Sequence, residues 1–393
     1  MSVSEQVPYA NYQYEIYLRG MAGQRPARPL DWRRLERDAY RLLSEGPRGY
    51  IAGGAGRGKT LRANREAFDR WRIVPRMLRD VSERTLARTL LGAALPAPVL
   101  LAPIGVQTLA HPDGELAMAR AAAEVGVPFL ASTAASHTIE QIAQEAGELA
   151  RWYQLYWPRD RELARSFVER AERAGYGAIV LTLDTWLLGW RPADLTNGFL
   201  PFLWGEGNRN YLEDPVFRAA LPAPPEENMQ AAIGHWAWQF ANPAVTWKDL
   251  AFLRECTELP IVLKGILHPD DARLAVEHGV QGVLVSNHGG RQVDGAIGAL
   301  DALPEVVAAV DGRCEVLFDS GIRSGADALK ALALGARAVL LGRPYIWGLA
   351  LGGAQGIVEV LRAFLADLDL AMALSGHAAI DEVGPGALAP APS

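Results

Sequence analysis

A (β/α)8 barrel is the fold this sequence predicts, on two observations. Eight short, nearly continuous apolar runs recur at 99–105, 127–133, 152–156, 178–184, 261–265, 282–287, 316–320 and 338–342. Between most of them lie amphipathic stretches that carry helix-start and helix-stop residues. Runs that are apolar on almost every residue and punctuated by Gly or Pro suit strands buried on both faces of a parallel sheet. Repeated eight times with intervening helices, such strands close into a barrel. An open doubly wound sheet is the alternative, but it seldom needs eight units.

The helices are read from their ends and faces. Asp160 caps a helix over 161–174 whose Leu163, Phe167, Val168 and Ala171 share one face, and Gly175 stops it. Thr246 opens the next, with Leu250 and Leu253 inward, and Pro260 follows its end. Pro269 occupies a first helical position with Asp270 and Asp271 in the first turn and Gly279 beyond the last. Ser324 precedes 326–334, closed by Gly335.

Two regions exceed a minimal barrel. Ahead of it, 31–43 is amphipathic through Trp32, Leu35, Ala39 and Leu42, followed by a Gly-rich turn and a second helix over 60–71. Residues 1–80 are therefore expected to form a helical extension that contributes to the active site, with the barrel over 81–380. The segment 187–244, between the fourth and fifth strands, is rich in aromatics and proline with no sustained periodicity, which predicts a lid. The Gly/Ala/Pro-rich end, 381–393, is expected to be a disordered tail.

Composition excludes several classes. A formal net charge of −6 with scattered Lys and Arg gives no electrostatic footprint for nucleic acid. Cys256 and Cys314, far apart, offer neither a metal-ligand spacing nor a disulfide framework, so no metal and a reducing compartment are expected. Residues 1–20 are polar, without an apolar signal core, and the apolar stretch 97–110 is broken by Pro98, Pro103 and Gly105. The expectation is a soluble cytoplasmic protein that does not engage membranes.

In this fold chemistry sits at the C-terminal ends of the strands. Those ends carry Gly105, Thr133, Gln154 and Tyr156, Thr182 and Asp184, Lys264, His288 and Arg291, Asp319 and Arg323, and Gly342 with Arg343. Any one of these alone is more often a structural cap. Their convergence on one rim is not explained by solvation, because solvated charges need not follow strand ends. The run 286–292, Ser-Asn-His-Gly-Gly-Arg-Gln, is the densest point. Its guanidinium offers a planar fork for a carboxylate, and its imidazole can take a proton near neutral pH. Gly321, Arg323, Gly342 and Arg343 follow the last two strands, where barrel phosphate sites are built, which predicts a phosphorylated cofactor.

These motifs resemble those of the FMN-dependent 2-hydroxy-acid oxidising family over roughly residues 30–380. The resemblance rests on the run 286–292, Leu-Thr-Leu-Asp-Thr at 181–185, Val-Leu-Lys-Gly at 262–265, Asp-Ser-Gly-Ile-Arg at 319–323 and Gly-Arg-Pro at 342–344. Pro-Ile-Gly at 103–105 and Gly-Trp-Arg-Pro at 189–192 are most similar to the lactate 2-monooxygenase branch. The resemblance implies FMN as cofactor, a lactate-like L-2-hydroxy acid and O2 as small-molecule partners, and a homo-oligomer, tetramer or octamer. It implies His288 as the base, Asp184 holding its imidazole and favouring its charged form, and Tyr156 bonding to the developing oxygen. Tyr50, Arg191 and Arg291 would bind the substrate carboxylate. Lys264 would stabilise the reduced flavin, and Pro103, Ile104, Gly105, Ser132, Gln154, Thr182 and Ser286 would surround the ring. Asp319 would hold the ribityl chain, and Gly321, Arg323, Gly342 and Arg343 the phosphate. Oxidative decarboxylation to acetate, CO2 and water is the expected outcome, with release of keto acid and peroxide as the alternative. A barrel that binds FMN without turnover is a third reading, disfavoured by the intact set of ionisable residues.

One motif points elsewhere. Residues 53–60, Gly-Gly-Ala-Gly-Arg-Gly-Lys-Thr, match the P-loop pattern of nucleotide hydrolases letter for letter. A P-loop needs a buried strand just before its glycines, and 44–49 reads instead as a broken turn. The family places its substrate tyrosine and a Gly-rich turn here, although relatives usually carry acidic residues where this chain has Arg57-Gly58-Lys59.

Overall fold

The computed structural model describes residues 8–392; expectations for 1–7 and 393 lie outside the described residues. The strands are β1 (Val99–Leu101), β2 (Phe129–Ser132), β3 (Arg151–Leu155), β4 (Ile179–Thr182), β5 (Ile261–Ile266), β6 (Gly282–Val285), β7 (Glu315–Phe318) and β8 (Ala338–Leu341). They close as a parallel barrel in sequence order, β8 returning to β1 through Val339–Val99 and Leu341–Leu101. Every one of the eight expected runs is a barrel strand.

Alternation along each strand separates two cores. Leu100, Leu130, Trp152, Val180, Val262, Leu284, Leu317 and Leu340 form the barrel interior, while Leu101, Phe129, Tyr153, Leu181, Leu263, Val285, Phe318 and Leu341 pack with the surrounding helices. A hairpin of Arg88–Leu90 and Ala93–Leu95 adds Leu90 and Leu95 to the interior cluster at its N-terminal end. Two residues beyond the inward apolar position, the same face becomes polar: Ser132 after Leu130, Gln154 after Trp152, Thr182 after Val180, Lys264 after Val262, Ser286 after Leu284 and Asp319 after Leu317. Register sets Ser132 beside Gln154 and Thr182 beside Lys264.

The outer helices start where the capping residues predict. Asp160 accepts from Glu162 N ahead of Arg161–Arg173, and Ser324 makes a capping box with Asp327 at the head of Gly325–Ala333. Pro269–Glu277 begins on its proline. Before the barrel lie α1 (Asn11–Met21), α2 (Trp32–Leu42), α3 (Glu45–Ala52) and α4 (Lys59–Asp69). Asp31 caps α2 by accepting from Arg34 N.

Two expectations are corrected. The broken turn over 44–49 is the start of helix α3. Its glycines serve close packing, because a Cβ on Gly46 would lie 2.8 Å from the Phe199 ring and one on Gly49 2.7 Å from Asn197 Nδ2. The tail expected to be disordered folds back, and Leu388–Pro390 pairs antiparallel with Trp71–Ile73. Ile380, Val383 and Ala387 are buried there, enough apolar anchors to outweigh the Gly/Pro composition. The segment 187–244 has secondary structure of its own: Pro192–Thr196, Arg209–Leu212, Pro215–Ala219 and Met229–Phe240 are helices. Proline starts two of them and Asp214 caps Pro215–Ala219 by accepting from Val216 N, so short capped turns replace a long period. Buried Asp214 also pairs with Arg170 at 3.1 Å, fixing the segment to the helix that follows β3.

Candidate active site

The strand ends, α3 and the segment after β4 line a pocket that opens to solvent. Tyr50, Pro103, Ile104, Gly105, Tyr156, Arg191, Lys264, His288, Arg291, Asp319, Gly321, Arg323, Gly342 and Arg343 all line it. Ser132, Gln154 and Thr182 are buried in the barrel mouth but not on the cavity wall. Asp184 and Ser286 lie behind the wall, facing a second hollow under the loop that follows β4.

His288 sits in a left-handed turn (φ 57°) after β6. Gly290 follows at φ 78°, and a Cβ there would come within 2.7 Å of Leu61 N, so only glycine lets α4 approach this turn. The reciprocal amide pair Asn64–Asn287, at 2.6 and 2.7 Å, locks the two together. His288 Nδ1 lies 2.7 Å from Asp184 Oδ1, which also accepts from Thr185 Oγ1 at 2.8 Å. That leaves Nε2 as the nitrogen free for a ligand. Burial raises the cost of ionising Asp184, but Lys264 and His288 outweigh it and hold the carboxyl well below its usual range.

Burial dominates at His288 as well and lowers its pKa below 6.5, with Asp184 opposing and Lys264 reinforcing. Asp184 favours the charged form of this imidazole, as the resemblance implies, but burial and Lys264 outweigh it. A neutral imidazole is the competent form of a base. The acid limb of kcat/KM against pH is thus expected below 6.5, activity falling only as pH drops through the depressed pKa. An acid limb above 6.5 contradicts this.

Lys264 reaches three groups at once: Ser286 Oγ at 3.1 Å, Asp319 Oδ2 at 3.7 Å and Asp184 Oδ2 at 3.8 Å. Arg191 and Arg291 meet beside Tyr50. Arg291 stands over the Tyr50 ring at 4.9 Å, and Arg191 Nε donates to Arg291 O at 3.0 Å. Burial, with Arg291 adding, pulls Arg191 down to about 10, so an anion between the two guanidinium groups would relieve both. Tyr50 and Tyr156 are raised, chiefly by burial, and keep their phenolic protons.

A flat, polar ring system and a phosphate fit what remains. Gln154 Nε2, Thr182 Oγ1 and Arg323 Nε are buried with no hydrogen-bond partner, which is costly unless a ligand supplies one. Arg323 is pulled down to about 10 by burial and by neighbouring Arg343 and Arg65, an electrostatic vacancy for an anion. Arg343 is less free than the sequence implies. It donates to Ile51 O and Gly53 O at the end of α3 and to Gly289 O in the turn after β6, and only part of its five-donor fork is left for a phosphate.

The P-loop look-alike is already filled by the protein itself. Asp294 accepts from Lys59 N at 2.6 Å and Arg57 N at 2.7 Å, and these backbone bonds hold its carboxyl below the usual range. A side-chain carboxylate thus takes the place a phosphate would have, and caps α4, whose own N-cap is Gly58. Lys59, exposed, is expected to be replaceable by alanine with flavin content and turnover nearly unchanged. Loss of an ATPase activity in Lys59→Ala would contradict this.

A barrel rim that gathers a partly buried imidazole–carboxylate pair, a buried lysine, two neighbouring arginines and unpartnered groups for a phosphorylated ring defines a flavin-linked oxidoreductase of small acids. The chain belongs to the FMN-dependent dehydrogenase family, whose model matches residues 39–390. It is 45% identical to an L-lactate oxidase of Lysinibacillus sphaericus, over 93% of this chain and 94% of that one. It is 44% identical to human 2-hydroxyacid oxidase 1, over 87% and 91%. A crystal structure of mandelate oxidase superposes with TM-score 0.81 at 41% identity, covering 92% of this chain and 98% of that one. The protein is accordingly an FMN-dependent oxidoreductase of 2-hydroxy acids. Among the described residues no helix is long and apolar enough to cross a membrane.

Sequence reasoning passed over three contributors. Thr185 and Gln292 stood inside quoted motifs without a role, and Asp294 stood just outside one.

Proposed function

We propose that this protein, a cytoplasmic homo-oligomer, oxidises a lactate-like L-2-hydroxy acid with FMN and O2, and holds the keto acid until it is decarboxylated. FMN, when bound, would supply a two-electron acceptor for the substrate, with O2 as the terminal acceptor that becomes hydrogen peroxide. Arg191 and Arg291 bind the carboxylate; His288, neutral and held at Nδ1 by Asp184, takes the substrate proton on Nε2. Tyr156, keeping its proton, donates to the developing oxygen, and Lys264 stabilises negative charge on the cofactor side. Peroxide and pyruvate then give acetate, CO2 and water, so that lactate plus O2 balances to those three products.

The observation that carries the retained keto acid is the aromatic wall. Phe202 stacks on Trp236 at 4.8 Å and on Phe240 at 6.1 Å, and edges meet Tyr50 at 6.4 Å and, from Phe240, Tyr156 at 5.2 Å. In this reading residues 187–244 act as the lid and the N-terminal extension supplies Tyr50, an aromatic wall that slows product exit. The names of the relatives favour the second reading, an oxidase that releases keto acid and peroxide. Turnover of L-lactate in air decides: acetate and CO2 with little peroxide are expected, whereas pyruvate and peroxide in equal amounts assign the oxidase reading.

A further inference from the structure

The loop that follows β4 carries Asp184 at one end and Arg191 at the other, yet its side chains do little to hold it. Trp186, Leu187, Leu188 and Trp190 are all exposed, Trp190 to 72%. Asp184 anchors one end on His288, and Gly56 N donates to Trp190 O at 2.8 Å near the other, but the stretch between is gathered by one side-chain amide. Gln292 Nε2 donates to Asp184 O at 2.6 Å and to Leu187 O at 2.9 Å. Its Oε1 accepts from Arg191 Nη2 at 2.5 Å and from Gly189 N at 3.4 Å. Both donors and both lone pairs of one side chain are therefore spent on four points of one loop. The seat is close: a Cβ on Gly189 would come within 2.6 Å of the carbonyl oxygens of Arg291 and Gln292.

We infer that Gln292 is a positioning residue for substrate: it latches the loop after β4 and aims Arg191 at the substrate carboxylate. This rests on the reading of Arg191 as a carboxylate ligand. Arg191 has two fixed acceptors, Gln292 Oε1 and the carbonyl of Arg291, both supplied by the segment that bears His288. The cation and the base are thereby referenced to one another rather than to separate parts of the barrel. Removing the amide leaves Arg191 with the Arg291 carbonyl alone and takes the donor from the carbonyls of Asp184 and Leu187. A displacement of about 1 Å in such a group can cost about 10²-fold.

The test is a double-mutant cycle on holoenzyme, read by the change in flavin absorbance on titration with pyruvate, a carboxylate that is not oxidised. Gln292→Leu and Arg191→Met are each expected to weaken pyruvate binding by about 10–100-fold with FMN content retained, and the double variant to bind no more weakly than Arg191→Met. In turnover, Gln292→Leu should raise KM more than it lowers kcat. Wild-type affinity in Gln292→Leu, or additive losses in the double variant, would overturn the latch while leaving Arg191 as a ligand. Unchanged binding in Arg191→Met would overturn the reading beneath it, and the latch with it.

Discussion

Substitution of His288 by glutamine is expected to leave FMN bound while slowing substrate-dependent flavin reduction by about 10²–10⁴-fold, the range for loss of a positioned general base. The amide can still donate to Asp184 Oδ1, which now receives Nδ1 at 2.7 Å, so the fold of the turn and the ionisation of Asp184 are largely preserved. What is lost is a nitrogen that can accept a proton. Rapid mixing of the variant with L-lactate without oxygen measures the rate directly. Reduction within about threefold of wild type would remove His288 from the role assigned to it.

Lys264→Met should have the largest effect on stability. The ammonium, itself buried, lies within 4 Å of two carboxylates, partly buried Asp184 and buried Asp319, and removing it leaves both without their nearest cation. Breaking a buried ion pair on one side costs about 3–5 kcal/mol, observable as a lower denaturant midpoint. The pH dependence carries its own sign. The folded Asp184 pKa is depressed, so its contribution is present above the unfolded carboxylate range and lost as pH falls through the folded value. The gap between wild type and Lys264→Met should narrow as pH falls below about 4. A gap that widens in acid would contradict the ion-pair account.

The barrel was legible because its signal is local and repeated. Each strand shows its apolar run, and the step from Leu284 to Ser286 or from Leu317 to Asp319 keeps the face and changes the chemistry, so the rim can be read off as well. Helix α3 was not legible, because Gly46 and Gly49 read as a turn until Phe199 and Asn197 are seen packed against them. The tail's pairing with Trp71–Ile73 joins residues some three hundred apart, and composition is silent about partners. The same holds for Asp294, which meets Lys59 across 235 residues, and for Gln292, whose role depends on where a separate loop returns. At His288 the sequence shows the carboxylate partner but not the burial that outweighs it.

The central claim is that this rim oxidises a 2-hydroxy acid through bound FMN. Anaerobic mixing of the purified yellow protein with a panel of L-2-hydroxy acids tests it most directly, with flavin absorbance as the readout. The account predicts bleaching by L-lactate at wild-type Arg191, Arg291 and His288, and recovery of colour on admitting oxygen. A flavin that stays oxidised with every acid in the panel would contradict it.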